Sequence, residues 1–200
     1  YPILNKISIW SFIFLFNSEY FLKEYFENIL LINYPNLEII LVDGLSSDNS
    51  ITIINSYKEK INIILLSEKD KAIYDAMNKG IDISNGEYIY FMGADDCLYN
   101  PDVFLNIFSN ESNLRYDFIY GKFNFKNTNK IRGGERNNRN IFLNNICHQA
   151  IIYKKLVFNK IGKYNISYPI CADYDLNIRC FNNIDIKIKY IDLVIGLFLS

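Results

Sequence analysis

Along the first two-thirds of the chain, short apolar runs alternate with stretches in which apolar residues recur every three or four positions. Residues 7–15 are largely apolar, broken only by Ser8 and Ser11, and residues 37–42 are apolar apart from Glu38. Residues 61–66 and 88–92 repeat the pattern. Continuous runs of this length are what strands buried on both faces look like. Between them, Asn17 and Ser18 offer a cap for a helix over Glu19–Leu31. After the polar turn of Ser46, Ser47, Asp48 and Asn49, the residues Ile51, Ile54 and Tyr57 follow at helical spacing. Residues 72–83 form a further helix, with Ile73, Met77 and Ile81 on one face and a turn at Gly86 beyond it. Strand–helix alternation predicts right-handed βαβ crossovers and a mostly parallel, Rossmann-like sheet flanked by helices in a single α/β domain.

Beyond Pro101 the pattern loosens. Residues 102–108 read as helix and Phe118–Phe125 as strand. Residues 126–145 are polar, carry Gly133-Gly134 with several Arg and Asn, and predict an exposed, mobile loop. A short strand over 150–153, a helix near 154–160 and a helix beginning around Asp173 complete the reading. No internal repeat or linker divides the chain.

Composition agrees with one globular domain: 200 residues, 50% hydrophobic, with a formal net charge of −1. So neutral a balance gives no electrostatic reason to expect nucleic acid as partner. Cys97, Cys147, Cys171 and Cys180 form no C-x-x-C pair, which removes a zinc ribbon or a redox motif and suggests reduced, partly buried thiols in a cytoplasmic protein. His148 is the sole histidine, so any metal here would be held mainly by oxygen. The apolar run at 7–16 is about half of what a bilayer-spanning helix needs, and the one near the C-terminus is interrupted by Asp192. No signal-peptide pattern is present. A chain that starts at Tyr1 and stops on an apolar stretch reads as a piece of a longer protein, cut at its C-terminus.

The acids supply the candidate chemistry. In an open α/β sheet, ligands bind outside the carboxyl ends of the strands. Asp43 ends the second predicted strand, Glu68 and Asp70 follow the third, and Asp95 and Asp96 follow the fourth, so all should share one edge. Adjacent Asp95 and Asp96 suit a hard cation such as Mn²⁺ or Mg²⁺, or they are solvated turn acids. Asp43-Gly44 reads equally as a strand-end turn in which Gly allows positive φ. Asp173 reads as a helix N-cap, Asp75 with Lys79 and Asp175 with Arg179 as i,i+4 pairs, and His148-Gln149 as a ligand-facing pair or a polar loop contact. The residues alone leave these alternatives open.

Taken together, five segments resemble the family 2 glycosyltransferases of bacterial surface-polysaccharide pathways, over about residues 7–195. They are residues 38–50 (EIILVDGLSSDNS), 67–80 (SEKDKAIYDAMNKG), 86–96 (GEYIYFMGADD), His148-Gln149-Ala150 and 172–176 (ADYDL). The resemblance implies a GT-A fold that binds a nucleoside-diphosphate sugar, a UDP-sugar for preference, and transfers the sugar with inversion to a glycan or lipid-linked acceptor. Residues 1–100 would form the nucleotide-sugar half and 101–200 the acceptor half. Asp43 matches the acid that reads the nucleotide base, and Glu68, Asp70 and Lys71 match a segment lining the donor pocket, with His148 and Gln149 also facing the donor. Asp95 and Asp96 match the D-x-D region that contacts ribose and holds Mn²⁺ or Mg²⁺. Asp173 matches the catalytic base. Gly93 stands where that pattern has its first acid, Leu15-Phe16-Asn17-Ser18 departs from a T-x-N signature, and Ala172 replaces a common Glu. A lipid-linked acceptor would bring the protein to the inner membrane face without a spanning helix.

Two other readings share this layout. A sugar-nucleotide nucleotidyltransferase would need a glycine-rich basic loop after the first strand, where this chain has Phe16-Asn17-Ser18-Glu19. A non-catalytic nucleotide-sugar-binding or assembly module of the same fold would be expected to lose the acids that are present here.

Overall fold

The computed structural model describes residues 8–128 and 130–198; Ile7, the first residue of the first expected strand, lies outside them. The chain begins with β1 (Ile9–Leu15), α1 (Glu19–Leu31), β2 (Leu37–Asp43), α2 (Ser50–Tyr57), β3 (Ile63–Ser67), α3 (Ile73–Ile83) and β4 (Tyr88–Phe91). It continues with β5 (Cys97–Leu98), α4 (Val103–Phe108), β6 (Phe118–Phe125), β7 (Ile131–Arg132), β8 (Ile151–Lys154), α5 (Leu156–Ile161), α6 (Ala172–Phe181) and β9 (Ile188–Phe198). The strands form one nine-stranded sheet in the order β3-β2-β1-β4-β8-β6-β9-β5, with β7 beside β6.

The first four strands are parallel throughout. From β4 onward the sheet is mixed: β8 runs antiparallel to β4 and β6, β9 parallel to β6, and β5 antiparallel to β9. Burial explains the unbroken apolar runs. Ile39, Leu41, Tyr88 and Tyr90 pack into one cluster with Leu22 and Phe26 of α1 and Phe104 of α4. Their sequence neighbours Ile40, Val42, Ile89 and Phe91 pack into a second with Met77 and Ile81 of α3, Phe158 of α5 and Leu176 of α6. Both faces of the sheet are therefore covered, and a polar residue on either would be buried without a partner. No helix among the described residues is long and apolar enough to cross a membrane.

Four local expectations change. Residues 126–145 are largely exposed, as read, yet they pair as β7 with β6 and turn through Asn140–Phe142, which buries Ile141 against α6. The apolar C-terminal stretch is the strand β9, central to the second half of the sheet. Positive φ after β2 falls on Leu45 (+66°), not on Gly44. And α6 is capped by Cys171, so Asp173 stands inside its first turn instead of at the cap.

Candidate active site

Register brings the acids together. Leu15 of β1 pairs with Asp43 of β2, and Asp43 pairs with Ser67 of β3, so three parallel strands end on one line. Asp43 is completely buried. Its carboxylate accepts from the Ser67 hydroxyl at 2.6 Å and from the Ser46 N–H at 3.2 Å. Its carbonyl accepts from the Glu68 N–H at 3.0 Å, which starts the segment 68–71 beside it. Gly44 lies close under the Asp70 carboxylate: a Cβ would come 2.8 Å from Asp70 Oδ2, so a larger residue would push that side chain aside. Burial pushes the Asp70 carboxyl up, Lys79 opposes this, and Asp75 and Asp43 add to it. Glu68 pairs with Lys79 at 3.0 Å, while the exposed Lys71 is tied through its N–H to Asp75 Oδ2 at 3.0 Å. Leu45, a non-glycine residue at φ +66°, adds backbone strain at this same edge.

One strand away, Asp95 and Asp96 converge over Gly93. A Cβ on Gly93 would lie 2.8 Å from Asp96 Oδ2 and 2.9 Å from Asp95 Oδ1. Asp96 is 5% exposed and accepts from the Gly93 N–H at 2.7 Å and from Gln149 Nε2 at 3.2 Å. Burial pushes its carboxyl up against these two hydrogen bonds, and Asp95 adds to the rise. Beside the pair lies a cavity of about 230 Å³ lined by Tyr20, Glu24 and Lys126. Lys126 Nζ donates to the Asp95 carbonyl at 2.7 Å and pairs with Glu24 at 3.4 Å. Among the described residues no group of three or more His, Cys, Asp or Glu could hold a cation unaided. Two converging carboxylates fit Mg²⁺ or Mn²⁺ nonetheless, because such ions take one or two protein carboxylates and fill the remaining positions with water and substrate phosphate.

Asp173 sits in a cradle of donors. Oδ1 accepts from Tyr74 Oη at 3.0 Å and from the Tyr174 N–H at 2.9 Å; Oδ2 accepts from Asn145 Nδ2 at 3.1 Å and lies 3.8 Å from His148 Nδ1. Burial alone would push the carboxyl up. His148, Tyr74 and the Tyr174 N–H outweigh it and hold Asp173 below the usual aspartate value. Asn145 is itself held by Asn177 Nδ2 at 2.8 Å, and Asn177 accepts from Tyr153 Oη at 3.2 Å.

His148-Gln149 joins the two acid groups: Gln149 donates to Asp96 while the neighbouring His148 faces Asp173. Gly196 of β9 makes room for this, since a Cβ there would meet the Gln149 carbonyl at 2.6 Å. The nine candidate acids, amides and bases therefore fall into two connected groups, Asp43 with the segment 68–71, and Asp95, Asp96, His148, Gln149 with Asp173. Tyr74, near the start of α3 and close after that segment in sequence, reaches the second group by donating to Asp173. Sequence reasoning gave no role to Tyr74, Asn145 or Lys126. Tyr74 could have been flagged by its place in the 67–80 motif; Asn145 and Lys126 carry no local signal, because only tertiary packing brings them to the acids.

Residues 12–172 match the family model described as Glycosyl transferase family 2. The chain is 38% identical over 166 residues to a PGL/p-HBAD biosynthesis glycosyltransferase of Mycobacterium tuberculosis, covering 80% of this chain and 64% of that protein. The chain thus spans less than two-thirds of the length of that relative. A shorter match, 38% over 84 residues, covers 41% of this chain and 28% of the glycosyltransferase GlyG of Streptococcus pneumoniae. Among solved structures, Staphylococcus aureus TarS in complex with UDP-GlcNAc superposes with a TM-score of 0.83 at 16% identity, covering 97% of this chain and 59% of TarS. The mannosyltransferase PcManGT of Pyrobaculum calidifontis, in complex with GDP-Man and Mn²⁺, gives 0.71 at 15%, covering 96% and 56%. At these identities the structural likeness speaks for the fold, which is GT-A.

Proposed function

The chain belongs to glycosyl transferase family 2, and on that premise we propose that it moves a sugar, with inversion, from a nucleoside-diphosphate sugar to a hydroxyl of a glycan or lipid-linked acceptor. The observation that carries this reading is Asp173: a carboxylate held ionised by His148, Tyr74 and the Tyr174 N–H and joined through His148-Gln149 to the Asp95–Asp96 pair. A carboxylate offers about four lone-pair sites, and the cradle leaves capacity to accept a proton. In the reaction Asp173 takes the proton of the acceptor hydroxyl as that oxygen attacks the anomeric carbon. No covalent intermediate is needed. Tyr74 and Asn145 fix the direction in which the carboxylate faces.

Donor binding falls to the other group. Asp43, oriented by Ser67 and Ser46, reads the nucleotide base, and Asp70 and Lys71 border the donor beside Gly44. A UDP-sugar is the preferred donor, in keeping with the UDP-GlcNAc complex of TarS. Asp95 and Asp96 would hold Mn²⁺ or Mg²⁺, which would neutralise charge on the leaving diphosphate. Lys126, on the Asp95 carbonyl, adds a fixed positive charge to the same place. Residues 1–100 then serve chiefly the donor and 101–200 the acceptor.

Calorimetry of UDP tests this reading, with and without Mn²⁺, on wild type and on Asp96→Ala. The expected result is binding that strengthens with Mn²⁺ in wild type and loses that gain in the variant. Metal-independent binding that the substitution leaves unchanged would remove the assignment of Asp95 and Asp96.

A further inference from the structure

Across Asn145 from Asp173 lies a cavity of about 410 Å³ between β6, β7 and the segment 144–147. Its lining is unlike that of the donor edge. Arg132 and Arg136 both face it, with Phe123, Ile131 and Ile146 supplying apolar wall. The turn between the two arginines is Gly133-Gly134, at φ +100° and +149°, values open in practice only to glycine. That reversal is what sets Arg132 and Arg136 against one space. Arg136 is steadied by Tyr120, whose hydroxyl accepts from its N–H at 2.7 Å, and its Nε donates to the Asn144 carbonyl at 3.3 Å. Asn145, also in the lining, donates to Asp173 at 3.1 Å. Whatever occupies the cavity is therefore one side chain away from the base.

Charge is unevenly distributed as well. Residues 126–145 carry Lys126, Lys130, Arg132, Arg136 and Arg139 against Glu135 alone, in a chain whose formal net charge is −1. Lys126 is turned to Asp95 and Glu24; of the other four basic residues, Arg132 and Arg136 line the cavity. Guanidinium groups present rigid, charged donors that match phosphate oxygens in pairs.

We propose that this cavity binds a phosphoryl group of the acceptor, so that the substrate is a phosphate-bearing glycan, polyol or lipid headgroup whose hydroxyl is presented to Asp173. The inference rests on Asp173 being the base. It concerns the acceptor alone and is tested with the donor site filled.

In the presence of saturating UDP, the protein is titrated with glycerol 1-phosphate and, in parallel, with neutral glycerol, by calorimetry and by ¹⁵N shifts of the arginine Nε groups. Glycerol 1-phosphate is expected to bind and to shift Arg132 and Arg136, while glycerol does neither. Arg132→Gln and Arg136→Gln should each weaken binding by roughly tenfold, as the loss of a charge-assisted hydrogen bond implies, with UDP affinity unchanged. Sedimentation with phosphatidylglycerol–phosphatidylcholine vesicles, against phosphatidylcholine alone, separates the sources. Arginine-dependent vesicle binding together with glycerol 1-phosphate binding assigns the phosphate to a lipid headgroup, and glycerol 1-phosphate binding without it assigns a soluble phosphate-bearing polymer. Both support the cavity assignment. Glycerol 1-phosphate that UDP displaces, binding indifferent to both substitutions, vesicle binding alone, or no binding at all would overturn it. Failure of UDP itself to bind would instead count against the donor reading.

Discussion

The strands β3-β2-β1-β4 and the strands β8-β6-β9-β5 form one continuous sheet, yet they build their share of the site by different means. In the first set every strand is parallel, every carboxyl end reaches the same edge, and Asp43, Glu68 and Asp95 arrive there simply by following their strands. In the second set directions are mixed, and Asp173, His148 and Asn145 come from helix and loop positions held by hydrogen bonds that involve side chains. Parallel topology places residues by strand direction alone. A mixed sheet needs a network, here Tyr153–Asn177–Asn145–Asp173, to reach the same precision. On the proposed function this becomes a division of labour, donor recognition by topology and proton transfer by network.

Asp173→Asn is the sharpest way to break that division. It removes the proposed base while keeping the shape of the side chain, so transfer should fall by about 10²–10⁴-fold, and UDP affinity should hold. Steady-state transfer and calorimetry on the same preparation read both quantities. A variant that transferred normally would leave Asp173 as an ordinary residue of a helical first turn.

Asp43→Ala should act the opposite way. It removes the acceptor of the exposed Ser67 hydroxyl and the half-buried Ser46 N–H, at about 1 kcal/mol per hydrogen bond lost, so unfolding should come somewhat earlier in denaturant and UDP should bind more weakly. Turnover at saturating donor should change far less than in Asp173→Asn. If Asp43→Ala lowered the maximal rate and spared donor affinity, the two halves would not divide the work as described.

The pH profile sharpens the same contrast by a smaller effect. Asp173 has its carboxyl held below the ordinary aspartate value of 3.8. A depressed value contributes stability that is fully present above the unfolded-state pKa and is lost as pH falls through the folded one. Neither transfer nor stability should therefore lose the Asp173 contribution until the pH is below about 4, the ordinary aspartate range. His148→Ala removes one of the groups that hold the carboxyl down, and the acid limb of the transfer profile should move to higher pH. An unmoved limb would mean that His148 serves packing alone.

How much of this could be read from the sequence divides along the same line. The parallel half was legible because the central strands β2 and β4 are buried on both faces and each helix shows its apolar stripe: Glu19–Leu31 is helical over the span read, and Asp43, Asp95 and Asp96 fall at strand ends as expected. The second half was legible only in pieces. Phe118–Phe125 was read in full, but β9 looked like an apolar tail because its partners on β6 and β5 are distant in sequence, and the two-residue, exposed β7 looked like part of a loop. Asp173 was found through its motif, while its cradle was invisible because Tyr74 and Asn145 lie 99 and 28 residues away in sequence.

A residue-level version of that lesson lies at the start of α1. By sequence, Asn17 or Ser18 caps this helix. In the structure Ser18 occupies the N-cap without a capping side-chain bond, and the work is done from across the sheet edge. Asp48 Oδ2 accepts from the Glu19 N–H at 3.0 Å while its Oδ1 accepts from the Ser50 N–H at 2.9 Å, so one carboxylate serves the first turns of both α1 and α2. Glu19 answers by accepting from the Asn49 N–H at 2.8 Å. Loss of a helix-capping side chain costs about 1 kcal/mol, and Asp48→Ala should show a loss of that order in denaturant unfolding. Ser18→Ala should stay within about 0.5 kcal/mol, as surface changes without a special role do. Both should leave the maximal transfer rate alone, because neither residue touches the base network. A Ser18→Ala loss as large as that of Asp48→Ala would restore the local reading and show that even the parallel half takes its order from neighbours in sequence rather than across the edge.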